Sequence, residues 1–236
     1  MVPLLGIPMI IWVASASAKA VGFENVIVAT EDKRICEVVQ EFGFTAQMTS
    51  PDALTGTDRV AEVARNLGRF DTILNVQGDE PLVLPEDILA IAQKHREVPE
   101  LVVNGYSAIQ GEEDATSVNV PKLVMDDAEK LLYISRLPIP GSKDPSSDCS
   151  RAAYYKQVCI YAYSQNHLSQ FVENGRRTPL ESREDIEILR FLELGQAVQM
   201  VRTSVGSLAI DTPEDVQRVE VAMKARGLQT IPGLQR

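Results

Sequence analysis

Histidine and cysteine are scarce in this chain, two and three among 236 residues. His95 and His167 are too few for a histidine-rich metal centre. Cys36, Cys149 and Cys159 are odd in number and show no CxxC spacing, so a reducing, cytoplasmic setting is expected rather than a disulfide framework. Basic charge is also short, with 23 Lys and Arg against 33 Asp and Glu. That deficit argues against a surface that coats nucleic acid, which needs clustered cations to displace counterions. It leaves room for a small charged substrate, because one local site can oppose the global sign. Internal repeats and low-complexity tracts are missing. Long apolar runs are missing too, apart from residues 1–18, which end in small residues like a signal-peptidase site. No Lys or Arg precedes that run, and Pro3 and Pro8 interrupt it, so the reading is an amphipathic helix with Pro8 in its first turn, running to about Ala20. Nothing else approaches the roughly 20 apolar residues of a membrane span.

What is present suits one α/β domain, 1–236, with 44% hydrophobic residues to fill its core. Strand and helix alternate through the first third: a strand at 25–30, a helix at 31–43, a strand at 46–49, a helix from Thr57 and a strand at 72–76. Strands separated by helices of this length imply crossover units and a mostly parallel sheet. The runs NVIVAT and TILNV are nearly continuous in apolar residues, as strands covered on both faces require. Past Leu101 the rhythm changes. Strand-like stretches at 101–109, 122–125 and 154–163 come with fewer helices, which predicts an antiparallel extension within a subregion of about 101–195. Residues 138–153, rich in Pro, Ser and Gly, read as a loop. Thr178-Pro179-Leu180-Glu181 is an N-cap, a proline in the first turn and a reciprocal Glu, opening a helix that runs to Gly195. Thr212-Pro213-Glu214-Asp215 opens the last helix in the same way.

Four places could carry chemistry. Asn75-Val76-Gln77-Gly78-Asp79-Glu80-Pro81 leaves the end of an apolar strand, where ligands bind in open parallel sheets. Gly78 permits close approach, and Asp79 offers the hard oxygen that Mg²⁺ prefers beside phosphates and water; a plain Gly-Asp turn is the competing account. Asp211 follows the strand-like Leu208-Ala209-Ile210 and could converge with Asp79 on one cation. Thr55-Gly56-Thr57-Asp58-Arg59 opens a helix, and its free amides and hydroxyls can hold an anion or a nucleotide's polar edge; the alternative is an ordinary cap with Arg59 solvated. Glu187 sits on the apolar stripe of its helix and needs a partner, which Arg183 at i−4 or Arg190 at i+3 could supply as a helical salt bridge.

Together these segments resemble the 3-deoxy-manno-octulosonate (KDO) cytidylyltransferase family. The likeness is colinear over nearly the whole chain, through GIPMI, IVAT, MTSPDALTGTDR, NVQGDEP, VPKLVMD, LYISRLPIP, KQVCIYAY, TPLE, EILRFLELG and IDTPED. It implies a Rossmann-like, three-layer nucleotidyltransferase fold. It also implies a reaction in which CTP and the sugar acid give the CMP-sugar and pyrophosphate, for lipopolysaccharide or capsule synthesis, in a homodimer. By resemblance Asp79 and Asp211 would hold Mg²⁺ and be catalytic, while Thr55, Gly56, Thr57, Arg59, Gln77 and Asp79 would surround the nucleotide. Gln77, Tyr133, Arg136, Lys156, Gln157, Tyr161 and Glu187 would face the sugar acid.

Three departures accompany the likeness. The family opens with a segment of the type IPARxxSxRxPGKPL, whereas here Met1-Val2-Pro3-Leu4-Leu5 joins directly onto GIPMI. The expectation is a start that lies upstream or a truncated chain, and a chain beginning at Met1 would lack the basic groups that contact the triphosphate and leave a strand edge unpaired. Gln157 stands where the family usually has His, and Ile188 where it commonly has Gln. Both changes point to an acceptor that is KDO or another ulosonic acid. Two other classes remain as alternatives: a non-catalytic nucleotide-sugar-binding protein, and a glycosyltransferase using a similar acidic pair.

Overall fold

The computed structural model describes residues 2–110, 113–143, 154–173, 175–204, 206–210 and 212–231. A two-strand hairpin, β1 (Pro3–Leu4) and β2 (Ile7–Pro8), leads into α1 (Met9–Val21), with Pro8 as its N-cap. Then come β3 (Ile27–Thr30), α2 (Lys33–Glu41), β4 (Thr45–Met48), α3 (Gly56–Leu67) and β5 (Ile73–Val76). The predicted order through this third therefore holds. Further along lie α4 (Pro85–Glu97), β6 (Val102–Ala108), β7 (Lys122–Met125), β8 (Leu131–Ser135) and β9 (Tyr155–Tyr163). The chain closes with α5 (Gln165–Glu173), α6 (Pro179–Glu184), α7 (Ile188–Glu193), β10 (Val198–Arg202) and α8 (Pro213–Ala225).

The nine residues of β9 organise the main sheet. One edge of β9 pairs antiparallel with β6, and β6 pairs parallel with β10. The other edge is shared, with β5 on residues 160–163 and β7 on residues 155–156, both antiparallel. It follows that β5, β6 and β10 run in one direction, with β9 opposed between them. The β7–β8 pair branches off as the antiparallel extension.

Side chains alternate across β9 because successive Cβ atoms point to opposite faces. Tyr161 and Tyr163 enter a core with α3, α5 and α7 residues, while Val158, Ile160 and Ala162 meet α1 and α4 residues on the other face. This gives three layers. Tyr163, Phe191 and Phe171 pack in series, at ring separations of 5.3 and 4.7 Å, and each such pair contributes about 1 kcal/mol beyond its area burial.

Among the described residues β3 and β4 pair only with each other, parallel, and β5 pairs only with β9. Strands β3 and β5 do not pair with each other among the described residues. Side chains bridge them: α3 packs on both strands, and a cavity of about 960 Å³ runs between them under α1.

Two expectations need correction. The helix read from Thr178 to Gly195 is two helices, because Asp185 takes a left-handed conformation at φ 53°, which short polar residues tolerate. The Arg136 side chain also draws away the carbonyls of Glu184 (2.5 Å) and Asp185 (2.8 Å) that a continuous helix would use. Residues 208–210 form no strand; Ile210 is instead held by its amide on the Asp79 carbonyl at 3.0 Å. Of the loop read at 138–153, residues 138–143 have no regular structure and the remainder lies outside the described residues. No helix among the described residues is long and apolar enough to cross a membrane.

Candidate active site

The carboxyl end of β5 and the amino end of α3 meet at Glu187. Thr55 caps α3, its hydroxyl accepting from the Asp58 amide at 3.2 Å. The next free amide, on Thr57, donates to Glu187 Oε2 at 2.8 Å, and Gln77 Nε2 donates to Glu187 Oε1. Gly56 lies directly above this pair. A Cβ there would stand 3.5 Å from both the Gln77 amide and Glu187 Oε1, in ordinary van der Waals contact. The Thr57 hydroxyl is 3.1 Å from the Tyr163 hydroxyl and fully buried. Tyr161 stacks on Tyr163 at 6.0 Å. Burial foremost, with the Glu187 charge among the added causes, pushes both phenols well above their ordinary value, so they stay protonated.

Gly56, Arg59, Gln77, Gly78 and Asp79 all line the cavity between β3 and β5. Asp79 is also close enough to Cys159 that, after burial and Glu80, its charge helps push that thiol up. Its backbone carbonyl anchors Ile210, the residue before Asp211; Asp211 itself lies outside the described residues. Two expectations fail here. Glu187 pairs with neither Arg183 nor Arg190, because the break at Asp185 turns it toward α3. Arg59 is not solvated: it donates to Thr49 Oγ1 (2.9 Å) and Ser50 O (3.1 Å) and pairs with Glu31 at 2.8 Å.

The sugar-facing candidates are distributed across β9, β7 and β8. Lys156 and Ser135 are both in register with Lys122. Lys156 pairs with Glu113 and donates to Ser207 O at 2.7 Å. Gln157 is buried and donates to Asn104 Oδ1 at 2.9 Å. Tyr133 (3.3 Å), Ser135 (2.8 Å) and the Arg136 amide (2.9 Å) all donate to the Glu184 carboxylate. Burial pushes that carboxyl up, but the Arg136 amide and the two hydroxyls outweigh it and hold it below the usual range. The Arg136 guanidinium is used on three carbonyls, of Glu184, Asp185 and Val118. Gln77 and Glu187 thus come together at α3, with Tyr161 stacked on Tyr163, whereas Tyr133 and Arg136 share Glu184, Lys156 is held by Glu113 and Ser207, and Gln157 by Asn104.

A family model described as Cytidylyltransferase matches residues 1–200. The 3-deoxy-manno-octulosonate cytidylyltransferase of Geobacter metallireducens is 40% identical over 224 residues, covering 92% of this chain and 87% of that protein. This chain belongs to the KDO cytidylyltransferase family. Acaryochloris marina has a relative of the same name, 36% identical over 216 residues, at 91% of this chain and 86% of that protein. The structure of CMP:2-keto-3-deoxy-manno-octonic acid synthetase complexed with CTP superposes with a TM-score of 0.84 at 32% identity, covering 95% of this chain and 91% of that one. A 4-diphosphocytidyl-2C-methyl-D-erythritol synthase from Anaerococcus prevotii, at 13% identity and TM-score 0.62 over 94% of this chain and 92% of that one, shares the fold alone.

Within this KDO cytidylyltransferase-family chain, the sequence reading missed Glu184 and took Arg190 only as a partner for Glu187. The spacing Glu181, Glu184, Glu187, Arg190, three residues at each step, was the available signal. Ile188, at one of the departures, is fully buried in the core with Phe171 and Phe191. Its side chain packs and does not reach a ligand surface.

Proposed function

We propose that the protein transfers CMP from CTP to KDO with release of pyrophosphate. What carries the reading is that Gly56, Arg59, Gln77 and Asp79 share one cavity, while Glu187 locks the Gln77 amide and the α3 amino end together. The anomeric hydroxyl of the sugar acid attacks the α-phosphorus in line; its bond to that phosphorus forms as the bond to the bridging oxygen breaks, and pyrophosphate departs. Gln77 and the Thr55–Thr57 segment would orient the nucleotide, and Arg59 would face its anionic part across the cavity. Since such reactions depend mostly on placement and charge, preset hydrogen bonds at Glu187 are the chain's main contribution. Asp79 and Asp211 would hold Mg²⁺, which prefers such hard carboxylate oxygens and would supply positive charge against the α-phosphate and leaving pyrophosphate. Tyr133, Arg136, Lys156 and Gln157 would shape the sugar side by holding its walls.

The test is pyrophosphate release with CTP, Mg²⁺ and KDO, followed by a panel of other ulosonic acids, on this chain and on a version carrying the upstream coding region. Release with KDO establishes the activity. Release only with another acid moves the acceptor and keeps the chemistry. Silence from both versions with every acid overturns the reading.

A further inference from the structure

Arg190 is 1% exposed and so is Glu181, while Asp58 is 14% exposed. The guanidinium of Arg190 forks onto Glu181, with Nε to Oε2 at 2.6 Å and Nη2 to Oε1 at 2.5 Å. Its other side reaches Asp58, Nη1 to Oδ1 at 3.1 Å and Nη2 to Oδ2 at 3.4 Å. Nη1 also donates to Phe171 O at 3.2 Å, and the guanidinium carbon lies 3.8 Å from the Phe171 ring centre. Burial works against the charge, but Glu181 and Asp58 outweigh it, so Arg190 stays charged.

Each carboxylate in this triad serves a helix cap as well. Glu181 accepts from the Thr178 amide at 3.0 Å at the start of α6. Asp58 accepts from the Thr55 hydroxyl at 2.7 Å at the start of α3. One buried cation therefore ties the amino ends of two helices. Between those ends, on the turn from α6 into α7, sits Glu187, which holds Thr57 and Gln77. A buried ion triad is weak support for stability, because apolar side chains of similar volume would fill the space as well or better. What a rigid fork of donors supplies is direction.

We propose that Arg190 is a positioning residue for nucleotide transfer: through Asp58 and Glu181 it sets where Glu187 holds the α3 amino end and Gln77. This rests on the cytidylyltransferase reading above. Arg190 acts through other side chains and does not line the cavity.

The experiment uses the full chain and three variants. Asp58→Asn keeps the side-chain shape and the Arg190–Glu181 fork but weakens the link to α3. Arg190→Lys keeps the charge and loses the fork. Val198→Ala empties part of the buried core at β10, the sheet edge separated from β5 by β6 and β9 and outside the cavity lining, and serves as a control of general destabilisation. Pyrophosphate release is measured against CTP and against sugar acid, with thermal melting in parallel. Asp58→Asn and Arg190→Lys are expected to lower kcat/KM for CTP by about tenfold or more, as displacement at a distance from chemistry can. KM for the sugar acid should stay within error, and Val198→Ala should lower the melting temperature without moving either constant. Wild-type constants in both site variants, whatever their melting temperatures, would overturn the inference. A wild-type chain that releases no pyrophosphate with any acid would instead sink the cytidylyltransferase reading, and this inference with it.

Discussion

The two sides of this molecule seat their polar groups in different surroundings. Between β3 and β5 lies a cavity with largely apolar walls from α1 and α3, and Arg59, Gln77 and Asp79 line it together with other polar side chains such as Asn25, Thr72 and Asn75. Around β7, β8 and the α6–α7 turn, polar side chains are dense and answer one another: Glu184 accepts from three groups and Arg136 donates to three carbonyls. The lesson is that a polar residue's type does not reveal its work. Arg136 spends its guanidinium on carbonyls of its own surroundings, whereas Arg59 and Gln77, though hydrogen-bonded themselves, line a cavity.

The comparison is broken most decisively by activity. Asp79→Asn should lower kcat by about a hundredfold to a thousandfold, the range for removing one preset charge-stabilising group, while the melting temperature stays near that of the parent. An equal loss from Lys156→Met, with KM for CTP unchanged, would show that the satisfied network also meets substrate. Next in size is Glu184→Ala, which strands the Tyr133 and Ser135 hydroxyls and the Arg136 amide and should cost about 3 kcal/mol in urea unfolding. A cost under about 0.5 kcal/mol would mean that the network is ornamental. Ile188→Gln restores the family's usual residue but places an amide in an apolar core. It should cost about 2 kcal/mol and leave the acceptor preference unchanged; a switch in preferred ulosonic acid would refute the buried assignment of that position.

The smallest effect expected is on pH dependence. Burial first, then His167, lowers His95 to about 4 from its ordinary 6.5. Its Nδ1 lies 3.0 Å from the Thr72 hydroxyl, and its Nε2 has no hydrogen-bond partner among the described residues. In the unfolded chain the imidazole takes a proton near its ordinary value, while in the folded chain it stays neutral until about pH 4. The unfolded state therefore binds more protons between those values, and stability falls as pH drops through that window. Melting temperature measured from pH 7 down to pH 4 should fall by several degrees, and His95→Gln should flatten part of that slope.

Much of this was legible because it is local. Apolar runs at β3 and β5 give themselves away as doubly covered strands, and the Thr178–Glu181 and Thr212–Asp215 spacings announce caps that the structure contains. The NVQGDEP and TGTDR segments could be read as strand-end and helix-start chemistry, and they do meet on one cavity. What stayed hidden depends on distant chain. Nothing near Asp185 says that Arg136, 49 residues earlier, will take its carbonyl. Glu187 has two arginines at helical spacing, so the simplest pairing was the wrong one once the helix broke.

One consequence follows from the way β9 is used. Its backbone is bonded to β6 on one edge and to β5 and β7 on the other, while among the described residues the β3–β4 pair has no ladder to that sheet. Amide hydrogens sense this difference in units of time. Those along β9 exchange with solvent only when several ladders open together, whereas those of β3 and β4 need only the separation of one two-stranded leaf. The molecule thus carries a fixed order of opening, in which the leaf bearing Glu31 and Thr49, the partners of Arg59, loosens before the strand that seats Tyr161.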